Sequence, residues 1–253
     1  MAPLDERRRK IKEAFLAKRG RFAPWHDAAL RLDPDFFQAF FDSIMAPLEH
    51  GPLPMKVKEL VFVAVDGSAT HLYRQGLQVH IAGALKHGAT AAEVMEVLEL
   101  ASLIGLHACA VGAPMLAEEL GKLGRAPAAS PRAAQLKAEF MAAAGYWDEG
   151  FDAIATLAPD FFAAWVRMAV APLASSVLEP KVKALICLAL DAATTLLYQP
   201  GMRLHMRRAL ELGATPNEVM EVLELASAIG IHSVSLGVPA LMEELDKAGK
   251  PLG

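Results

Sequence analysis

Apolar residues recur along this chain at spacings of three and four, the period of a helix with one buried face. In "GLQVHIAGALKHG", Leu77, His80, Ile81, Ala84 and Leu85 share such a face, so the spacing predicts a helix that turns His80 toward a core. The run "KVKELVFVAV" before it predicts a helix buried on several sides. "VFVAV" alone also suits a strand, but "ICLAL" stands at the matching place in a second copy and favours helix. Helix ends are marked as well. Asp33 precedes Pro34 as an N-cap before a first-turn proline, and Thr90 with Glu93 makes a capping box. Gly88 suits the left-handed backbone that closes a helix.

Each of these signals occurs twice. Adding 125 to a position carries "PDFF" at Pro34 to Pro159, "KVK" at Lys56 to Lys181, Asp66 to Asp191, Tyr73 to Tyr198, His80 to His205 and His107 to His232. From Gly88 to Gly105, 15 of 18 residues match Gly213 to Gly230, so the chain is a tandem duplication. A period this long exceeds the ~20–50 residues of solenoid repeats and predicts two domain-sized modules. The Gly/Pro/Ser/Ala stretch at 121–131 marks the boundary, giving a first repeat over 1–126 and a second over 127–253. The fold class expected is all-α, with about five or six helices per repeat.

Composition supports helices and narrows the partners. Of 253 residues 54% are hydrophobic, with three Trp and three Tyr, so a sizeable core forms and strand-favouring aromatics are few. A net charge of -4 without a uniform basic block argues against nucleic acid. The charge-free runs from Leu100 to Ala117 and from Leu225 to Met242 approach the length of a membrane span. Each contains a His, Gly residues and a Pro and follows an acidic helix, so they read as core or subunit-contact helices and no membrane partner is expected. No secretory signal is visible, and Cys109 and Cys187 as the only cysteines suit a reducing cytoplasm.

His80 and His205 are the candidates for chemistry. A histidine on an apolar wall is either a satisfied core residue or a proton carrier, because its pKa lies near ~6.5. Thr70, Tyr73 and Asp66 lie just upstream of His80, and the second copy repeats Thr195, Tyr198 and Asp191. Glu59, whose counterpart is Ala184, is either a proton partner of His80 or an exposed residue beside Lys58. His71, whose counterpart is Leu196, is the other ionisable group present in the first copy alone, so the first copy is expected to be the working site. His107 and His232 read as core residues or as lining of the same pockets. Glu93, Glu96 and Glu99, at three-residue spacing, read as the solvated side of their helix.

The segment "KVKELVFVAVDGSATHLYRQGLQVHIAGALKHGATAAEVMEVLELASLIG" resembles the carboxymuconolactone decarboxylase and alkylhydroperoxidase D family. That resemblance implies tandem alkylhydroperoxidase D-like helical modules. The family's redox branch places cysteines seven and four residues before the histidine, where this chain has Tyr73 and Gly76, and Tyr198 and Gly201. Thiol peroxidase chemistry needs a thiolate and a resolving partner, so it is disfavoured. The remaining branch implies a lyase acting without metal or organic cofactor on a small carboxylated lactone or ring acid from aromatic breakdown. In that reading His80 and His205 give the proton, Tyr73 and Thr70 contact the developing oxyanion, and Glu59 sets the tautomer. Thr70, His71, Thr195, Tyr198, His107 and His232 complete the substrate contacts. The resemblance also implies a homo-oligomer, a trimer of tandem repeats. A hydrolase or isomerase on the same scaffold and a non-catalytic helical assembly protein are the alternatives.

Overall fold

The computed structural model describes residues 3–128 and 130–250, and among them there is no strand. The first repeat forms α1 (Glu6–Arg19), α2 (Pro24–Leu32), α3 (Pro34–His50), α4 (Met55–Gly67), α5 (Arg74–Lys86), α6 (Ala91–Ser102) and α7 (His107–Lys122). The second forms α8 (Pro131–Ala144), α9 (Gly150–Leu157), α10 (Pro159–Ala174), α11 (Pro180–Ala192), α12 (Gln199–Glu211), α13 (Pro216–Ser227) and α14 (His232–Lys247). Each repeat thus holds more helices than the apolar pattern suggested, because short amphipathic helices such as α2 and α9 give few turns of periodicity. Within the boundary stretch, α7 ends at Lys122 and α8 begins at Pro131, and residues 123–128 and 130 are non-helical; Ala129 lies outside the described residues.

The caps fall where their residues predict. Asp33 accepts from the Phe36 N–H at 2.9 Å, and Thr90 and Glu93 each accept from the other's backbone. Gly88 and Gly213 take φ of 87° and 86°, the left-handed region that a Cβ disfavours.

The chain divides into two compact units, one of residues 1–51 with 228–253 and one of residues 52–227. In the first, α14 packs on α2, while Phe15, Phe37, Leu30 and Phe41 form a core with His26 among their rings. In the second, α7 packs on α9. Since α14 and α9 are second-repeat helices while α2 and α7 belong to the first, each repeat lends its last helix to the other. The centre of the second unit is α4 against α11, with α6 and α13 laid across them. Leu60, Val61, Val63, Leu185, Ile186 and Leu188 are fully buried there, each worth roughly 1.5–3 kcal/mol of apolar burial.

Glu93, read as solvated, is buried beside Lys56 of its own repeat at 2.8 Å, and Glu96, read the same way, is buried together with its counterpart Glu221. Lys58 of α4 meets Glu221 of α13 at 2.7 Å, and Lys183 of α11 meets Glu96 of α6 at 2.6 Å, with every side chain under a tenth exposed. Glu221 also accepts from the Leu53 N–H, Glu96 from the Ser175 hydroxyl, and Lys183 donates to the carbonyls of Pro172 and Ser175. The spacing of Glu96 and Glu221 matched an exposed face, but the partner repeat supplies a buried lysine to each.

Residues 91–122 and 216–247 are each 32 residues long and contain an 18-residue stretch apolar enough to cross a membrane by length and composition. A 3₁₀ turn interrupts each, at Leu103–Leu106 and Ala228–Ile231.

Candidate active site

Glu59 and Asp66 lie seven residues apart on α4, two turns, and so share the face that meets α5. Between them sits His80. Its Nδ1 is 2.7 Å from Glu59 Oε2 and its Nε2 is 3.9 Å from Asp66 Oδ2, with Phe62 stacked on the ring at 4.4 Å. Burial pushes the Asp66 carboxyl up to about 7. Gly83 makes room for Glu59, since a Cβ there would stand 2.6 Å from its carboxyl carbon.

The second copy has Ala184 in place of Glu59, and its histidine turns to the remaining acid. His205 Nδ1 is 2.7 Å from Asp191 Oδ2. A proton on Nδ1, donated to Asp191, leaves the Nε2 lone pair free. Nε2 is buried and has no hydrogen-bond partner among the described residues. Asp191 reaches the histidine across the first turn of α12, where the helix dipole favours an anion. Gly201 permits this, because a Cβ there would lie 2.2 Å from Asp191 Oδ2, and Gly76 stands to Asp66 in the same way at 2.0 Å. A cysteine four residues before either histidine would therefore collide with the aspartate. That steric fact separates this site from a thiol pair.

A cleft opens beside His205, lined by both repeats: Leu100, Leu103, Ile104 and His107 from the first, and Asp148, Trp165, Asp191 and Tyr198 among those from the second. Its empty volume is about 490 Å³ including the mouth, which is open to solvent. His107 Nε2 lies 3.5 Å from Asp191 Oδ1, so one carboxylate serves two imidazoles. The His107 ring stacks on Tyr198 at 4.0 Å, burial holds its pKa down, and its Nδ1 is buried without a partner among the described residues. The Tyr198 hydroxyl donates to Asp148 Oδ2 at 2.9 Å; burial and that bond raise its pKa. Tyr146 meets His205 edge-on at 5.2 Å. Cys187 also lines the cleft, and burial pushes its thiol well up, which keeps it protonated and unreactive.

The structure distributes the expected residues unevenly. Glu59 joins His80, while Tyr198 and His107 join His205. Tyr73 donates its hydroxyl to Gln75 at 3.3 Å, and His71 lies beside Tyr73 at 5.9 Å between ring centres. Thr70 and Thr195 are exposed and bond to each other through their hydroxyls at 3.1 Å, and Thr195 does not line the cleft. His232 is half-buried at the first turn of α14, in the other compact unit. Asp191, Asp148, Tyr146 and Trp165 were not among the expected site residues. The repeat held a signal for three of them: Asp148, Tyr146 and Trp165 stand where the first copy has Ala23, Arg21 and Phe40, so each adds a hydrogen-bonding group of its own.

A family profile, the carboxymuconolactone decarboxylase family, matches the chain twice, over residues 34–113 and 159–243. The chain belongs to the carboxymuconolactone decarboxylase family. Each match falls within one repeat, so the duplication is a duplication of the family's module. Among solved structures, a protein from Burkholderia xenovorans LB400, provisionally named a gamma-carboxymuconolactone decarboxylase subunit, is similar with 39% identity and a TM-score of 0.90. The similarity covers 95% of this chain and 98% of that one, so both repeats are shared. Among curated proteins none matches this chain significantly.

Proposed function

We propose that this family member is a carboxy-lyase that decarboxylates a small lactone or ring acid by histidine-mediated proton transfer, with the second repeat's cleft as the principal reaction site. The observation that carries the reading is His205 Nε2: buried, without a partner, on a largely apolar cleft wall, with Nδ1 held by Asp191. Sequence alone favoured the first copy, which is richer in ionisable groups. There, however, both ring nitrogens of His80 face carboxylates.

An apolar wall destabilises the substrate carboxylate relative to the neutral carbon dioxide that leaves. The bond between carbon and carboxyl breaks, and its electron pair moves into the conjugated carbonyl as an enolate. His205, carrying a proton taken from solvent and balanced by Asp191, delivers that proton from Nε2 to carbon. Water then reprotonates the ring, so each turnover consumes one proton and releases one carbon dioxide. These steps call for no metal or organic cofactor.

Carbon dioxide release across a panel of carboxylated lactones tests the reading. His205→Gln is expected to lower turnover by about 10²–10⁴-fold, the usual worth of a positioned proton carrier. His80→Gln is expected to leave most of it. No release from any lactone, or full activity in His205→Gln, overturns the assignment.

A further inference from the structure

An enolate needs a hydrogen-bond donor where its charge develops, and the expected donors are engaged elsewhere. The Tyr198 hydroxyl has one proton and gives it to Asp148. The Thr195 hydroxyl is exposed and paired with Thr70 outside the cleft. The proton that His205 Nε2 carries in the reaction is committed to carbon, and His107, whose Nε2 faces Asp191, presents a lone pair at Nδ1 in its neutral form.

Trp165 is placed differently. It lines the cleft, is nine-tenths buried, and its Nε1–H has no acceptor among the described residues. Buried N–H groups left unpaired are rare and costly, and their missing acceptor is commonly water or ligand. The indole is also held still. It stacks on Phe162 with ring centres 5.8 Å apart and on Phe140 at 5.7 Å, and it meets Phe151 edge-on at 5.3 Å. A donor fixed in this way needs no reorganisation when charge appears. At the matching place the first repeat has Phe40, a smaller aromatic ring with no N–H.

We propose that Trp165 Nε1–H receives the ring-carbonyl oxygen of the substrate and stabilises the enolate. The assignment deepens the carboxy-lyase reading and rests on it for the enolate, while the binding contact itself is independent of turnover.

Two measurements separate these claims. The chain has three tryptophans, so a proton–nitrogen correlation spectrum shows three indole resonances, and Trp165→Phe identifies the relevant one. A butenolide acetate, with ring carbonyl and carboxylate, is expected to move that resonance downfield. Cyclopentenylacetate, with ring and carboxylate but no ring carbonyl, is expected to leave it in place. Movement with neither probe, or equal movement with both, overturns the contact. In turnover, Trp165→Phe is expected to lower kcat by roughly 10²-fold while KM changes by less than about threefold. An unchanged kcat overturns the oxyanion role. If no lactone is decarboxylated yet the butenolide alone shifts the indole, the lyase reading fails and the donor stands. If decarboxylation depends on His205 but is indifferent to Trp165→Phe, the reverse holds.

Discussion

Lys58 meets Glu221 at 2.7 Å and Lys183 meets Glu96 at 2.6 Å, so the two halves of the central core carry the same buried cross-pair. His80 and His205 are equally matched in sequence, yet one is held by Glu59 and the other by Asp191. The difference lies in what each arrangement tolerates. A buried charge that loses its partner is strongly destabilising, so each core pair is pinned in both copies. An imidazole can exchange one carboxylate for another, provided the volumes around it change together. Glu59 requires Gly83, while the second copy has Ala184 in place of Glu59 and Arg208 in place of Gly83, with the Arg208 guanidinium against Gly145. Duplication has thus kept the electrostatic frame and let the sites drift apart.

The sharpest way to break this comparison is to remove the lysines one at a time. Lys58→Met and Lys183→Met are each expected to cost about 3–5 kcal/mol, in equal measure, by urea unfolding. If one is harmless, the frame is not symmetric. Smaller, and local to a site, is Gly201→Ala. Its Cβ displaces Asp191 and Tyr198, with an expected cost of about 1–3 kcal/mol from overpacking and loss of turnover. Gly83→Ala is expected to disturb Glu59 and His80 but to leave turnover at the second site. Equal loss of turnover in both variants would mean the sites are not independent.

The smallest effect concerns pH. Burial raises the Asp66 carboxyl to about 7, above the ~3.9 of an unfolded chain. Between those values the native state holds a proton that the unfolded state has released, so this residue's contribution to stability is full below pH ~4 and is lost as pH rises through about 7. Asp66→Asn is expected to remove that decline, melting a few degrees higher than the parent at pH 8 and closer to it at pH 5. A parent curve already flat across that range would contradict the burial argument.

Much of the frame was legible in the chain because its signals are local. The capping boxes at Thr90 and Thr215, the prolines at helix starts, the glycines after α5 and α12 and the three-four spacing act within a few residues, and they hold in both copies. Glu93 and Glu96 were misread because a buried acid and an exposed one look alike until the lysine opposite is known. The site was legible only in part for the same reason. His205 and Tyr198 follow from the repeat, but Trp165 and Asp148 reach the cleft from α10 and the turn before α9, and Tyr146 from the turn after α8.

By itself the sequence determined a doubled helical module, the faces its helices bury, the histidine at matching places and the lack of a thiol pair beside it. Which acid each histidine holds, and the cleft that opens beside His205, were decided by tertiary packing. There α7 of one repeat lies on α9 of the other, bringing His107 and Asp191 together from positions far apart in the chain. Short-range preferences can be read along a chain. The partners of a buried polar atom are chosen by whatever the fold brings within about 3 Å of it.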